Sequence, residues 1–323
     1  MTVVLALFLL AAGSYNDTLR AGLEALNRND LPVAEARLTE AAKENPRDPH
    51  VWLALAQTYL KLHKPEAANA AAGKAAKLGP SDITTVNGLA YFYSETGDRK
   101  SAAAQFQKAI QLKPYEETYY FELGRLYLQE QDFADALTTL KKGTGIFDKS
   151  AQLELALGVA YYGLRRFPES VDAFLRTIQL APDVEQPYVF LGKMLDQAES
   201  KLPAVIADFE AYRKVNPDNY LGPFLLAKAL ELQNADTARV ESLLGESIRL
   251  NDKFPASHFE LGSVRERARD FAGAAEEYQR SIALAPNDPI PHYHLARVYD
   301  RLGKHAEAAD ERALHAKLAA GIK

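Results

Sequence analysis

The sequence predicts an all-α fold in which pairs of helices repeat along nearly the whole chain. Proline recurs with a period of 34 residues at Pro46, Pro80 and Pro114, and Pro182 follows after two further periods. A column of nine small residues and a column of eight leucines keep the same period. The chain has 323 residues, of which 47% are hydrophobic, as in ordinary folded proteins. This composition argues against a disordered, collagen-like or multi-span membrane chain.

The prolines set the register of nine repeats. With each proline at position 32, the repeats begin near residues 15, 49, 83, 117, 151, 185, 220, 255 and 289. Position 8 is glycine or alanine in every repeat: Gly22, Ala56, Ala90, Gly124, Gly158, Gly192, Ala227, Gly262 and Ala296. Position 7 is leucine in eight repeats: Leu55, Leu89, Leu123, Leu157, Leu191, Leu226, Leu261 and Leu295.

Each repeat is predicted to contain a helix, a short turn and a second helix. In repeat 3, Val86, Leu89 and Tyr93 share one face of the first helix at 3.6 residues per turn. Gly97 ends this helix, and Pro114 cannot continue the second one, so the chain turns into the next repeat. Small side chains at positions 8, 20 and 27 let the two helices approach closely, while large side chains at positions 4, 7, 11 and 24 fill the space between them.

Residues 83–116 carry the pattern most completely. Their matching residues are Leu89, Ala90, Tyr93, Gly97, Ala102, Phe106, Ala109 and Pro114. The pattern resembles the tetratricopeptide repeat family, and the resemblance covers about residues 15–322. It implies a right-handed α-solenoid of about nine stacked helix-turn-helix repeats. It also implies a scaffold that binds a protein or peptide, without catalysis and without a cofactor.

Four repeats depart from the pattern. Repeat 4 ends with Gly143 and Gly145, each of which costs about 1 kcal/mol in a helix relative to alanine. These glycines predict either a weak or bent joint after repeat 4 or the cap of a shortened helix. Repeat 6 carries an extra residue around Ser200–Pro203, and repeat 7 has Pro223 where a large residue is usual. Repeat 8 places Arg265 at the usual aromatic position 11, which indicates an internal carboxylate partner or a local change of register.

Charge and motif content argue against several functions. The net charge of −5 is a poor match to nucleic acid. The absence of cysteine excludes disulfides, thiolate metal sites and cysteine nucleophiles. The common nucleotide, metalloprotease and hydrolase motifs are also absent, so we predict no enzyme and no metal site. His258 and His292 both occupy position 4, where we expect them to pack between neighbouring repeats.

The first fourteen residues differ from the rest of the chain. Thr2–Ala12 is an uncharged apolar run that is too short to span a bilayer, which needs about 20 residues. Its length and the small residues before Ser14 are typical of a signal peptide, although no lysine or arginine precedes it. We therefore predict export to the periplasm or the extracellular space. The alternative is a first helix that caps the fold of a cytoplasmic protein.

In the tetratricopeptide repeat family, positions 2, 5, 9, 12 and 13 of the first helices line an inner groove, so these side chains are candidates for contact with a partner. The predicted groove residues are Leu53, Asn87, Tyr91, Phe121, Arg125, Leu128, Leu155, Val159, Tyr162, Lys193, Lys228, Phe259, Tyr293 and Arg297. Tyr91, Phe121 and Tyr162 form an aromatic stripe of the kind that anchors peptide side chains. We expect some of the leucines to pack against adjacent helices instead.

Two functional hypotheses follow. The first is an adaptor that binds a protein or peptide segment in the groove. The second is a structural component of an envelope or secretion assembly, acting through its ends or convex face, with self-association through the terminal repeats as a further option. Leu23 and Gln57 at position 9 of the first two repeats argue against the family's clamp for chaperone carboxylates. Neither hypothesis includes nucleic acid or a span of the membrane.

Overall fold

The computed structural model describes residues 14–233 and 235–321, which form eighteen α-helices and no strand. The first helices of the pairs are α1 (Ser14–Asn27), α3 (Pro49–Lys61), α5 (Ile83–Thr96), α7 (Glu117–Gln129), α9 (Ala151–Gly163), α11 (Gln186–Lys193), α13 (Leu221–Leu232), α15 (Pro255–Arg267) and α17 (Pro289–Arg301). The second helices are α2 (Leu31–Glu44), α4 (Pro65–Leu78), α6 (Arg99–Leu112), α8 (Phe133–Ile146), α10 (Phe167–Leu180), α12 (Leu202–Val215), α14 (Thr237–Leu250), α16 (Phe271–Leu284) and α18 (His305–Gly321). The predicted all-α solenoid is confirmed.

The chain divides into two compact units, one ending at Asp148 and the other beginning at Lys149. The N-terminal unit contains α1 to α8, and the C-terminal unit contains α9 to α18. None of the described helices is long and apolar enough to cross a membrane. The predicted signal peptide lies almost entirely outside the residues that the structure describes.

Most turns within the helix pairs reverse the chain at one left-handed residue. Position 15 has a positive φ in eight repeats, between 46° and 79°. These residues are Asn29, His63, Gly97, Gln131, Arg165, Glu199, Arg269 and Gly303. Only two of them are glycine, the residue that adopts this conformation without cost. The next residue often caps the second helix, as Asp98 does by accepting a hydrogen bond from the Ser101 backbone amide at 3.1 Å.

The small residue at position 8 allows the close approach that the sequence predicts. A Cβ atom added to Gly124 would lie 2.4 Å from the Leu140 side chain, and one added to Gly158 would lie 2.6 Å from the Phe174 ring. Leu140 and Phe174 occupy position 24 of the same repeats and are fully buried. Each large side chain therefore fills the space that the missing methyl group leaves.

Repeat 6 is the main irregularity of the C-terminal unit. Helix α11 has eight residues, and two 3₁₀ turns, at Leu195–Gln197 and Glu199–Lys201, carry the chain to α12. Here a Cβ atom on Gly192 would lie 2.2 Å from Leu225 of the next first helix rather than meeting the second helix of its own pair. The extra residue that the sequence places around Ser200 is thus accommodated by tighter turns.

Two of the other departures are explained by helix geometry. Helix α8 continues through both Gly143 and Gly145 to Ile146, so the interpretation of a shortened helix is wrong. Pro223 is the third residue of α13, where the backbone amide that proline lacks needs no partner within the helix.

The buried charges of repeats 8 and 9 form pairs inside each helix pair. Arg265 donates to Glu277 at 3.2 Å, so it has an internal carboxylate partner. Nδ1 of His258 lies 2.7 Å from the same Glu277 carboxylate, and Nδ1 of His292 lies 2.5 Å from the Glu311 carboxylate. Both histidines therefore bind a carboxylate on the second helix of their own repeat, and Nε2 of His258 also lies 3.3 Å from the Asp252 carbonyl oxygen of the preceding repeat. Burial alone would raise the pKa of Glu277, but the hydrogen bond with His258 holds it below its usual value.

A chain of polar contacts connects the starts of the first three first helices. His50 contacts Asp48 through Nδ1 at 2.9 Å and Asp82 through Nε2 at 3.0 Å. The Tyr15 hydroxyl donates to Asp48 at 2.5 Å, and Thr85 donates to Asp82 at 2.7 Å. The hydrogen bond with Asp48 raises the pKa of His50 against the opposing effect of burial. Burial would raise the pKa of Asp48, but bonds from His50 and Tyr15 lower it to about 2.

We expect opposite effects from two glycine-to-alanine substitutions in the N-terminal unit. Gly124→Ala should destabilise by about 1–3 kcal/mol, because the new methyl group overlaps Leu140. Gly73→Ala in α4 meets nothing within 4 Å and should stabilise by about 0.5–1 kcal/mol through helix propensity. Urea unfolding of both variants measures the difference. Equal effects of the two substitutions would show that position 8 does not limit the approach of the helices.

The contribution of His50 should depend on pH. Because its pKa is raised in the folded chain, its stabilisation is fully present below about pH 6.5 and is lost as the pH rises through the folded pKa. At pH 6, His50→Ala should lower the free energy of unfolding by about 1–3 kcal/mol, since Asp82 loses a charged partner. Urea unfolding at a series of pH values compares the variant with the parent chain. A difference that does not shrink toward pH 9 would contradict the assignment of a charged His50.

Candidate partner-binding surface

Most of the predicted groove residues are accessible. Asn87, Tyr91, Phe121, Arg125, Leu128, Leu155, Val159, Tyr162, Lys228 and Phe259 are partly buried, and Lys193, Tyr293 and Arg297 are exposed. Leu53 is the exception, because its side chain is only 1% exposed. It lies against Gly88 of α5, where an added Cβ atom would be 2.3 Å from the leucine. Leu53 is therefore a contact between neighbouring repeats and cannot bind a partner.

In the N-terminal unit, α5 and α7 present an aromatic and polar surface. The ring of Tyr91 meets Phe106 edge to face at 5.5 Å, which fixes its position above the core. Burial and the nearby Glu122 carboxylate raise the pKa of Tyr91 to about 12, so its hydroxyl remains a hydrogen-bond donor at neutral pH. Arg125 donates to Glu122 through Nε at 2.9 Å and Nη2 at 2.6 Å. The side-chain oxygen of Asn87 on α5 is buried and accepts no hydrogen bond.

In the C-terminal unit, α9 and α11 form what we call the aromatic patch. It consists of Leu155, Val159, Tyr162, Phe190 and Lys193. The ring of Tyr162 contacts that of Phe190 at 5.7 Å, and Phe190 stacks on buried Phe174 at 4.9 Å. The Lys193 ammonium group lies 5.8 Å from the centre of the Phe190 ring. Packing against the core holds the apolar members of the patch in place.

Ion pairs between successive first helices dominate the rest of this surface. Lys228 on α13 contacts Glu260 on α15 at 3.1 Å, and Arg267 on α15 contacts Glu231 on α13. Burial raises the pKa of Glu231, and the Glu260 charge adds to this effect. These pairs connect adjacent repeats, so their charges are largely neutralised within the chain.

The last two first helices share one carboxylate. Glu266 of α15 accepts a hydrogen bond from the Tyr278 hydroxyl at 2.9 Å and contacts Arg297 at 3.1 Å. His294 lies 3.3 Å from the same carboxylate and meets the Phe259 ring edge to face at 5.2 Å. Burial and the bond to Glu266 raise the pKa of Tyr278. Tyr293 remains 46% exposed beside this cluster.

Sequence reasoning missed a column of residues that shape the surface. Glu122, Phe190, Glu260 and His294 all occupy position 6 of their first helices and contact the predicted groove residues. The signal was visible in the sequence as charged or aromatic residues at one fixed position in four repeats. Among the described residues, no group of three or more histidine, aspartate or glutamate side chains is placed to hold a metal ion.

Comparisons with known proteins address the fold directly. The sequence profile of the tetratricopeptide repeat matches residues 19–83, 53–117, 87–151, 121–185, 238–289 and 259–320. The search of curated proteins found no match. The C-terminal part of a TPR repeat-containing protein from Cytophaga hutchinsonii aligns with a TM-score of 0.55 and 15% identity, over 86% of this chain and 99% of that protein.

Two further solved structures align less closely. Yeast Tom70 gives a TM-score of 0.48 at 15% identity, over 94% of this chain and 85% of Tom70. YrrB, described as a TPR protein with an unusual peptide-binding site, gives 0.47 at 16% identity, over 59% of this chain and 97% of YrrB. The matched repeats extend over far more than half of the sequence and coincide with the helix pairs of both units. The chain belongs to the tetratricopeptide repeat family, whose members generally act as scaffolds for protein interactions.

Proposed function

We propose that this scaffold binds an extended or helical segment of a protein partner along the first helices of its repeats, without catalysing a reaction. The observation that carries the proposal is the partial exposure of Tyr91, Phe121 and Tyr162, which the core does not fully enclose. Aromatic side chains held rigidly by their neighbours are effective anchors, because little conformational entropy is lost on binding. Tyr91 and Tyr162 are held in this way by Phe106 and Phe190.

The polar groups of the surface support binding of a peptide backbone as well as side chains. The Tyr91 hydroxyl remains protonated and can donate a hydrogen bond, and the partly exposed Arg125 lies on the neighbouring first helix. An apolar surface with a few fixed polar groups gives both affinity and orientation. The N-terminal unit thus supplies apolar contacts and hydrogen-bond partners on α5 and α7.

The triple variant Tyr91→Ala, Phe121→Ala and Tyr162→Ala should lose its partner. Affinity capture from the source organism, followed by mass spectrometry, compares residues 15–323 with and without these substitutions. Removing three anchors should abolish retention, since a single anchor is commonly worth about 2 kcal/mol or more.

A matched control removes three large apolar side chains that lie outside the first helices. Val33→Ala, Tyr115→Ala and Val215→Ala alter residues that are 43%, 82% and 77% exposed. This control should retain the partner, and urea unfolding of both variants verifies that they remain folded. Equal capture by the parent chain and the aromatic variant would refute binding at the first helices. It would favour instead an assembly component that acts through its ends or its second helices.

We also propose that the protein acts outside the cytoplasm, on the strength of the apolar run Thr2–Ala12 and the small residues that follow it. Protein isolated from its source should then begin at Ser14. Mass spectrometry of the intact chain and of its N-terminal peptide measures this directly. A mature protein that retains residues 1–13 would contradict cleavage and favour the alternative of a capping segment.

A further inference from the structure

Lys193 differs from the other basic residues predicted for the groove. Arg125, Lys228 and Arg297 each contact a carboxylate, on Glu122, Glu260 and Glu266 respectively. Within residues 14–233 and 235–321, the interaction found for the Lys193 ammonium group is with the face of Phe190 at 5.8 Å. Its side chain therefore presents an uncompensated positive charge at the edge of an apolar surface.

Three acidic residues of α10 and of the turn after α11 have contacts of their own. Asp196 accepts a hydrogen bond from Gln197 at 2.9 Å, and Asp172 pairs with Lys201. Glu169 pairs with Arg166 at the start of α10. The aromatic patch thus combines four apolar side chains with one cation, for which no carboxylate contact is found within the described residues.

The loss of water from Lys193 on binding makes the aromatic patch selective for the charge of its ligand. An apolar side chain of a ligand that covers Tyr162 and Phe190 also removes water from around Lys193. A cation that loses water without gaining a partner costs free energy, so a neutral or basic ligand is penalised. An acidic group beside the apolar anchor would offset this cost and form a charge-assisted hydrogen bond.

We propose that the aromatic patch binds a peptide segment in which an aliphatic or aromatic side chain lies within about four residues of an aspartate or glutamate. The apolar side chain lies on Tyr162 and Phe190, and the carboxylate contacts Lys193. This inference rests on the proposed function, because it specifies the chemistry of the segment that the first helices bind. The internal acidic side chain is the recognised group, so a free C-terminus is not required.

A purely structural role for Lys193 gives a different expectation. Helix α11 ends at Lys193, and a cation in the last turn of a helix is stabilised by the partial negative charge of that end. If Lys193 only stabilised the end of α11, its substitution would change the stability of the chain and leave the choice of ligand unchanged.

A displayed library of random peptides provides the probe. The peptides are fused to the carrier at their C-termini, so no free carboxylate is available. Selections are run on the full chain and on the variants Lys193→Glu, Lys193→Gln, Tyr162→Ala and, as a matched control, Lys253→Glu. Lys253 is exposed in the turn before α15, away from the patch. Peptides selected by the parent chain and by the control should be enriched in acidic residues near apolar ones, whereas Lys193→Glu should select lysine and arginine there.

One selected peptide is then synthesised with glutamate, glutamine or lysine at the enriched position, and its affinity is measured by fluorescence anisotropy. The parent chain should bind the glutamate form about two- to fivefold more tightly than the glutamine form, with a smaller ratio at high salt. Lys193→Gln should lose this preference. The same acidic preference in the parent chain and in both Lys193 variants, or no preference in the parent chain, would overturn the inference.

The outcomes separate this inference from the proposed function. Peptides that depend on Tyr162 but show no charge preference would leave binding at the first helices intact and reject the role of Lys193. Equal selection by the parent chain and the Tyr162→Ala variant would reject the aromatic patch as a binding site. Loss of partner capture with the triple aromatic variant would still support the proposed function in that case, through the N-terminal unit.

Discussion

The close contact between position 8 of a first helix and position 24 of the second is the constraint on which the fold depends. Gly124 against Leu140, Gly158 against Phe174 and Gly262 against Tyr278 leave no room for a methyl group. Because the large side chain packs directly on the glycine backbone, it is buried completely and the helices pack at a short distance. The same contact recurs in both units, and repeat 6 departs from it because Gly192 meets Leu225 of the next first helix instead.

Polar contacts add specificity to this apolar packing. His50 lies between two aspartates that cap consecutive first helices, and His258 and His292 each bind a carboxylate across their own helix pair. Such contacts are costly when one partner is missing, which ties each element to a single neighbour. The ion pairs of Lys228 and Arg267 connect successive first helices in the same way. These charged side chains of the first helices therefore pair with neighbouring repeats rather than with a partner.

The pairing of these charges limits which predicted groove residues can form an ion pair with a partner. The predicted groove residues comprise basic side chains that pair with carboxylates and aromatic side chains that remain accessible. Tyr91, Tyr162 and Phe190 are held by ring contacts, and Lys193 is the basic residue of the predicted groove that contacts no carboxylate within the described part of the chain. A surface with rigid aromatic rings and few unpaired charges gains specificity chiefly by disfavouring ligands whose charges it cannot pair. The irregular repeat 6, in which α11 ends early, is where these features coincide.

The sequence by itself determined the all-α class, the register of the repeats and the small-to-large packing rule, because these depend on local periodicity and on residue size. Most of the residues that the family resemblance predicts for the groove are accessible, and their role in binding stays a prediction. Tertiary structure alone decided that Leu53 is buried against Gly88, and that Phe190 and Glu260 contact Tyr162 and Lys228 of neighbouring repeats. It also decided which charges are paired. These outcomes depend on distances between helices of different repeats, which a periodic pattern does not encode.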